Sequence, residues 1–157
     1  MNSNTTTIEY FTFEQDFVEE NVRCIPMIVR FKLDACGIKL KLNEWAKMSV
    51  SERVQLAESP CDTIEEATSY RKFLQQLVLH HSGQVATELE IDDSPLWALI
   101  SEVPHLFLEK LKDYKVSVSL SQWQGLSALQ RFALLKLSSA SHESKNFGKA
   151  LKEFDLA

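Results

Sequence analysis

The sequence predicts a mainly α, single-domain helical bundle with two short extended segments. Apolar residues recur at helical spacing through most of the chain, and helix start and stop signals flank the recurring segments. Only 4 Gly and 4 Pro occur in 157 residues, which leaves little room for long loops. A chain of this length buries roughly 68–70% of its unfolded surface, so it needs neither disulfide nor metal to fold. We therefore expect a flexible N-terminus over residues 1–10 and one helical domain over residues 11–157.

The first clear helix is predicted over residues 25–37. Pro26 suits its first turn, where a missing N–H is no loss, and Gly37 suits the residue just past its end. Residues 38–42 then alternate apolar and basic side chains, which predicts the first extended segment. Asn43 is expected to cap the short helical turn that follows.

Two further helices in the first half carry start signals. Ser49 lies three residues before Glu52, the spacing of a capping box, and predicts a helix over residues 49–58. The longest helix is predicted over residues 62–81, and the polar residues 82–93 after it form the one plausible internal boundary. Asp62 and Glu65 are expected to form its start signal, and its inward stripe is Ile64, Ala67, Leu74, Leu77, Val78 and His81.

The second half repeats the same kinds of segment. Pro104 opens a helix, and residues 116–120 alternate and predict the second extended segment. Ser127 and Gln130 form a capping box before a helix that is apolar nearly all round and is expected at the centre of the core. A closing helix is predicted over residues 145–154. The side chains expected to face inward on the helix after Pro104 are Phe107, Leu108, Leu111 and Tyr114.

An internal echo relates the two halves. Placing Trp45 on Trp123 sets an offset of 78 residues, and both copies then show a helix, an extended piece, a tryptophan turn, a capping box and a helix. The pairs that share this offset are Leu33 with Leu111, Leu42 with Leu120, Ser49 with Ser127, Arg53 with Arg131, and Leu56 with Leu134. We interpret the echo as a duplicated supersecondary unit whose copies face each other across a pseudo-twofold core. The alternative is a chance recurrence of a tryptophan before a helix start.

The net charge and the cysteines argue against several classes of function. The net charge is −5, and the basic residues are interleaved with acidic or apolar ones, which argues against nucleic-acid binding and leaves room for a basic partner. The three cysteines are widely spaced and resemble neither a disulfide framework nor a zinc site. No secretory signal is visible, and no stretch approaches the ~20 apolar residues that span a bilayer. We expect a cytoplasmic protein that does not bind membranes.

The residues that could carry chemistry do not assemble into a recognisable centre. Adjacent His80 and His81 diverge by about 100° on a helix and cannot chelate one ion together. Cys61 precedes a helix start, where a thiol can become acidic, but Asp62 and Glu65 oppose a thiolate there. No glycine-rich phosphate loop is present. We therefore expect no catalytic residues, no metal site, no bound cofactor and no enzyme activity.

Two arginines at equivalent positions of the echo allow two interpretations. Arg53 and Arg131 each follow a tryptophan by eight residues. Such arginines could converge on an anion, or they could tie helix ends together. The sequence leaves both interpretations open.

Several stretches of the chain resemble one known family. Residues 23–34, 36–40 and 43–45 are RCIPMIVRFKLD, CGIKL and NEW, and residues 129–134 and 150–154 are LQRFAL and ALKEF. In order and spacing they are similar to the nitrate reductase associated protein family, and the likeness extends from about residue 11 to residue 156. The family is found mainly in cyanobacteria, in association with the ferredoxin-dependent, molybdenum-containing assimilatory nitrate reductase.

The resemblance implies an accessory protein that the reductase needs for its activity or maturation. The implied partner is nitrate reductase or its cofactor-insertion apparatus, bound through protein–protein contacts. No binding residues are carried over from the family. Polar motifs without a packing role are the surface candidates, each alternatively a helix cap or a surface charge: Arg23, Arg30, His142, Lys145 and Asn146. The competing function is a carrier or sensor of a small anion or of molybdenum cofactor, with Arg53 and Arg131 as its ligands.

Overall fold

A computed structural model describes residues 8–139 and 144–157 of the chain. Within them the fold is mainly α with one two-stranded antiparallel pairing, which confirms the predicted fold class. The helices are α1 (Gln15–Glu19), α2 (Met27–Cys36), α3 (Leu42–Ala46), α4 (Val50–Glu58), α5 (Ile64–Ser82), α6 (His105–Leu111), α7 (Leu120–Gly125), α8 (Ala128–Ser139) and α9 (Ser144–Glu153). The strands are β1 (Ile38–Lys39) and β2 (Thr87–Glu88), and short 3-10 turns cover Thr12–Glu14, Leu96–Ala98 and Lys112–Tyr114. Residues 1–7, expected to be flexible, lie outside the described part.

The chain divides into two compact units, one ending at Asp92 and the other beginning at Asp93. This division falls at the end of the polar stretch over residues 82–93, where the sequence places its one internal boundary. The assignment of residues 11–157 to a single domain, and the pseudo-twofold core, stay predictions.

In the first unit, α5 supplies one wall of the core. Its buried side chains are Leu74 and Val78, as predicted, together with Tyr70. Ile64 was expected to face inward, and that prediction is wrong, because this side chain is 84% exposed. It is the first helical residue and lies about 80° around the axis from Leu74, at the margin of the buried face.

The start of α5 also differs by one residue from the prediction. Thr63, not Asp62, caps the helix: its hydroxyl accepts from the Glu66 backbone N–H at 3.0 Å. The Glu66 carboxylate accepts in return from the N–H groups of Thr63 and Asp62, at 3.2 Å and 2.9 Å. Glu65 takes no part in this capping box. Either register of adjacent acids satisfies the sequence pattern, so local spacing alone could not choose between them.

The N- and C-termini of α2 follow the predicted signals with one shift. Pro26 lies immediately before the helix rather than in its first turn. Gly37 ends it in the left-handed region, with φ 74°, and its carbonyl accepts from the Leu89 N–H at 2.8 Å. β1 then pairs with β2, with Ile38 opposite Glu88. The first extended segment is shorter than predicted because Leu42 already begins α3. The second, residues 116–120, forms no strand, since Leu120 already begins α7, and β2 lies where the sequence predicted none.

The cap of α3 also differs from the prediction. Asn43 lies inside the helix, and the Lys41 backbone N–H donates instead to the Glu44 carboxylate at 2.8 Å. The helix therefore begins one residue before the residue that was expected to cap it.

The second unit is built around α8, as its apolar sequence predicts. The α8 side chains that are buried are Leu129, Phe132, Ala133, Leu134 and Leu137. Phe107 of α6 contacts Trp123 of α7 and Phe147 of α9, with ring centroids 5.3 Å and 5.9 Å apart. The inward prediction for Leu108 is wrong, since it is 38% exposed on the helix that buries Phe107 and Leu111.

The 78-residue echo is present in the backbone of the two units. At this offset three helix starts coincide, and so does a left-handed residue after the first helix of each copy. The matched features are Pro26 and Pro104 before α2 and α6, Gly37 (φ 74°) and Lys115 (φ 55°), Leu42 and Leu120 at the starts of α3 and α7, and Val50 and Ala128 at the starts of α4 and α8. Agreement of starts and of backbone sign at one offset supports a duplicated unit over chance recurrence.

Candidate functional site

In the first unit, a tryptophan and an arginine hold the loop that precedes α2. The indole Nε1 of Trp45 donates to the Val22 carbonyl at 2.8 Å, and Arg53 Nη1 donates to the Asn21 carbonyl at 2.9 Å. Arg53 also donates from Nη2 to the Ala46 carbonyl at 3.0 Å. Asn21 and Val22 both have positive φ, 61° and 49°, which costs energy at a β-branched residue. The hydrogen bonds from Trp45 and Arg53 therefore stabilise an unfavourable backbone conformation at Asn21 and Val22.

The second unit repeats this pair. Trp123 Nε1 donates to the Leu99 carbonyl at 2.8 Å, and Arg131 Nε donates to the Trp97 carbonyl at 2.7 Å. Arg131 Nη1 donates to the Leu126 carbonyl, and burial lowers the pKa of the guanidinium. We call Trp45 with Arg53, and Trp123 with Arg131, the clamps. The geometry supports the tying role that the sequence allowed for both arginines, and their anion-binding role stays a prediction.

A buried carboxylate, which sequence reasoning missed, lies at the start of α2. Glu14 is 2% exposed and is the only buried charged residue in the described part of the chain. Its carboxylate accepts from the Met27 backbone N–H at 2.7 Å and from the Phe11 N–H at 3.2 Å. Glu14 therefore caps α2 from 13 residues away. The only sequence signal is an acid among the aromatic residues of the segment FTFEQDF.

Two of the predicted partner-binding residues lie at the same corner of the first unit. Arg23 and Arg30 are both exposed. Arg23 Nε donates to the Glu20 carboxylate at 3.0 Å, and Arg30 Nε donates to the Ile25 carbonyl at 3.1 Å. Both guanidinium groups thus donate to residues between α1 and α2, and we call the surface formed by Arg23 and Arg30 the arginine corner.

The other predicted partner-binding residues belong to the second unit or are not described. Lys145 and Asn146 are on the first turn of α9, where Lys145 is exposed and Asn146 is half-buried. His142 lies outside the described residues. A binding role for each of these residues stays a prediction.

Two of the three thiols are buried in the first unit. Cys36 and Cys61 are 1% and 8% exposed. Burial raises the pKa of Cys36 to about 12 and that of Cys61 to about 11. The Cys61 thiol donates weakly to the Lys32 carbonyl at 3.8 Å. Neither group is poised to act as a thiolate near neutral pH.

His81 joins the end of α5 to the start of α4. Its Nε2 lies 2.8 Å from the carboxylate of Glu52, the same carboxylate oxygen that accepts from the Ser49 N–H in the predicted capping box. The Ser49 N–H is the main cause of the lowered pKa of Glu52, and His81 adds to it. Among the residues that the structure describes, no group of three or more His, Cys, Asp and Glu side chains is placed to hold a metal ion.

A groove with a volume of about 420 Å³ lies beside α5 in the first unit. We call it the α5 groove. It is lined by Ser59, Pro60, Glu65, Glu66, Ser69, Tyr70 and Phe73. No local sequence pattern marks this groove, because it depends on how the loop after α4 meets α5.

The loop wall of the α5 groove is anchored from below by a lysine. Lys32 Nζ donates to the Ala57 carbonyl at 2.7 Å and to the Ser59 carbonyl at 2.5 Å, and it lies 5.9 Å from the centre of the Tyr70 ring. Burial lowers the pKa of this ammonium group. Tyr70 donates from its hydroxyl to the Leu56 carbonyl at 2.8 Å. These bonds to the end of α4 preform the groove.

Comparison with known proteins identifies one family that the chain matches. A family model described as conserved nitrate reductase-associated protein matches residues 10–154 of the chain. Neither the curated proteins nor the solved structures gave a match. None of the helices in the described residues is long and apolar enough to cross a bilayer.

Proposed function

The chain belongs to the conserved nitrate reductase-associated protein family, and from this premise we propose that it is an accessory protein of an assimilatory, molybdenum-containing nitrate reductase. It acts by binding nitrate reductase or the apparatus that inserts the cofactor, and the enzyme requires it for activity or maturation. The observation that carries this proposal is the match of the family model over residues 10–154. The family is described as associated with the reductase and not as a reductase.

The roles of the conspicuous side chains support binding over catalysis. Cys36 and Cys61 are buried with raised pKa values. The guanidinium groups of Arg53 and Arg131 are engaged by backbone carbonyls in the clamps. These groups hold the fold together, which leaves the surface to interact with other molecules. We propose that the protein works in the cytoplasm, where its reductase partner would be.

The arginine corner is the part of the predicted binding surface with the clearest geometry. The Arg23 side chain is 52% exposed although it pairs with Glu20, and a surface pair of this kind contributes little to stability. Arginine is also enriched among the residues that dominate protein interfaces. We propose that Arg23 and Arg30 contact the partner, with Lys145, Asn146 and His142 as further candidates.

Co-purification tests the proposed function. Affinity-tagged protein, expressed in a strain that lacks its own copy, is expected to retrieve nitrate reductase or a protein of cofactor insertion. The same strain without the tagged protein is expected to lose nitrate reductase activity. Retrieval of neither class of protein, with nitrate reductase activity intact in the deletion strain, contradicts the proposal.

Complementation by a thiol variant separates binding from a thiol-dependent reaction. Cys61→Ser is expected to restore nitrate reductase activity in the deletion strain to the wild-type level, because a thiol with a pKa of about 11 contributes almost no thiolate at neutral pH. Cys24→Ser, at a half-buried position, is the matched control. Loss of nitrate reductase activity in Cys61→Ser alone, with the variant protein still folded, contradicts a pure binding role.

A further inference from the structure

We propose that the α5 groove binds an arginine-bearing, basic segment of a partner protein. The inference rests on the proposed function and deepens it, because it assigns a surface and a partner chemistry to the binding event. The groove is formed entirely within the first unit and is separate from the arginine corner. Arg30 of that corner and Lys32 beneath the groove are about 200° apart around α2, so they point to opposite sides of this helix.

The shape of the groove suits a long side chain with an apolar stem. Its volume of about 420 Å³ falls within the roughly 300–1,000 Å³ typical of binding pockets. Pro60, Tyr70 and Phe73 give it apolar walls, while Glu65 and Glu66 lie at the first turn of α5. Arginine and lysine bury their methylene stems along apolar surface and keep the charged head at a polar rim.

Charge complementarity selects a basic occupant. The carboxylates that line the groove are Glu65 and Glu66, and the surrounding segment 58–66 also contains Glu58 and Asp62. The opposing positive charges are Lys32, whose ammonium is held under the Ser59 carbonyl, the exposed Lys72 next to Phe73, and the N-terminus of α5, which is equivalent to about half a charge. The acids outnumber these charges, so the groove attracts cations.

One lining carboxylate is available to a partner. Glu66 is committed to the capping box, where it accepts from two backbone N–H groups. Glu65 is exposed and makes no hydrogen bond or ion pair with any residue that the structure describes. A guanidinium that pairs with Glu65 can also lay its planar face against the apolar wall of the groove, which a compact ammonium cannot do. This geometry favours arginine over lysine.

Charge and bulk in the groove provide the first test. Glu65→Lys reverses the free carboxylate, and Ser69→Arg places a basic side chain where the partner's is expected. Each variant is expected to lower retrieval of nitrate reductase, or of the cofactor-insertion protein, by at least about tenfold, which corresponds to ~1.4 kcal/mol. Glu90→Lys and Gln76→Arg introduce the same charge changes at exposed residues outside the groove and are expected to retrieve as much partner as wild type.

The outcomes separate the inference from the function on which it rests. If wild-type protein retrieves no partner, the proposed function fails and the groove loses its occupant. If wild type and all four variants retrieve the partner equally, only the groove proposal is wrong. Circular dichroism identifies a variant that has unfolded, and its loss of retrieval then does not count as support.

Photo-crosslinking from inside the groove tests the partner chemistry directly. Ser69 is replaced with a benzophenone-bearing amino acid in the full chain, the complex is irradiated, and the attached segment is identified by mass spectrometry. The expected product is a partner segment that contains arginine. A crosslink to a segment without a basic residue, or a retrieved partner that never crosslinks from this position, overturns the proposal.

Discussion

The buried carboxylate of Glu14 joins the start of α2 to the segment before α1, because it accepts from the backbone N–H groups of Met27 and Phe11. We predict that Glu14→Gln lowers the free energy of unfolding by about 1–3 kcal/mol, because a charge-assisted bond to the Met27 N–H is replaced by a weaker one. Urea denaturation measures the change. Glu90→Gln, at an exposed residue, is the matched control and is expected to change stability by less than about 0.5 kcal/mol. Equal effects of the two variants would contradict the capping role of Glu14.

The clamp arginines give the second prediction for single residues. Arg131→Lys is expected to lower the free energy of unfolding by about 1–3 kcal/mol, because an ammonium cannot reach the Trp97 and Leu126 carbonyls in the same fork geometry. Thermal unfolding with and without nitrate or molybdate distinguishes the roles. An anion that raises the melting temperature of wild type, but not of the variant, would instead support the carrier function.

The free energy of unfolding should depend on pH through the carboxylate of Glu52. Its folded pKa is lowered from 4.5, first by the Ser49 N–H, so it stabilises the fold above its unfolded pKa, and this contribution is lost as pH falls through the lower folded value. The stability difference between wild type and Glu52→Gln is therefore expected to be largest above the unfolded pKa of 4.5 and to shrink as the pH falls below it. Denaturant unfolding at several pH values measures it. A difference that grows on acidification in this range would show that the sign is wrong.

Hydrogen bonds between residues close in sequence could be predicted from the sequence, and those between distant residues could not. The capping boxes at Ser49 and Ser127 were predicted because both partners lie within four residues. Glu14 was not predicted, because its partner Met27 is 13 residues away and nothing local marks the pairing. The α5 groove likewise depends on contacts between separate segments.

At the scale of elements, two glycines that end helices should differ in their tolerance of a side chain. Gly37 and Gly83 both have positive φ, 74° and 78°. A Cβ at Gly37 would also lie 2.6 Å from the Leu89 carbonyl oxygen, whereas a Cβ at Gly83 meets nothing within 4 Å. We expect Gly83→Ala to cost about 1–2 kcal/mol from the left-handed backbone alone, and Gly37→Ala to cost clearly more.

Chemical denaturation of the two variants measures this difference. The close approach at Gly37 is where β1 and β2 pair, so Gly37→Ala should also weaken protection of the Leu89 amide from hydrogen exchange. Equal losses of stability in the two variants would mean that the packing of β2 against Gly37 contributes nothing.

The helices themselves were largely predictable, and their boundaries less so. Several helix signals act through local backbone geometry, so the helices next to them were predicted to within one or two residues. These signals are Pro26, Gly37, Pro104 and the capping boxes at Ser49 and Ser127. The inward faces were predicted less well. Ile64 and Leu108 fit an apolar stripe but are exposed, because the position of the neighbouring elements decides which part of a stripe is covered.

On the scale of the whole molecule, the 78-residue echo relates architecture to function. The clamps, the left-handed turns and the helix starts recur in both units, so these features belong to the stability of the repeated unit. The α5 groove lies on α5, between the two copies in sequence, and the repeat does not account for it. A net charge of −5 accords with a basic partner surface.

The protein is proposed to act by binding, and sedimentation of purified components provides the sharpest test of this role. The full chain is mixed in turn with molybdenum-loaded nitrate reductase, with molybdenum-free nitrate reductase and with the protein that inserts the cofactor. We expect a complex of fixed stoichiometry with at least one of them, and we expect it to weaken as salt is raised because charged surfaces meet. If the chain sediments alone in all three mixtures at low salt, the protein does not act by binding these partners.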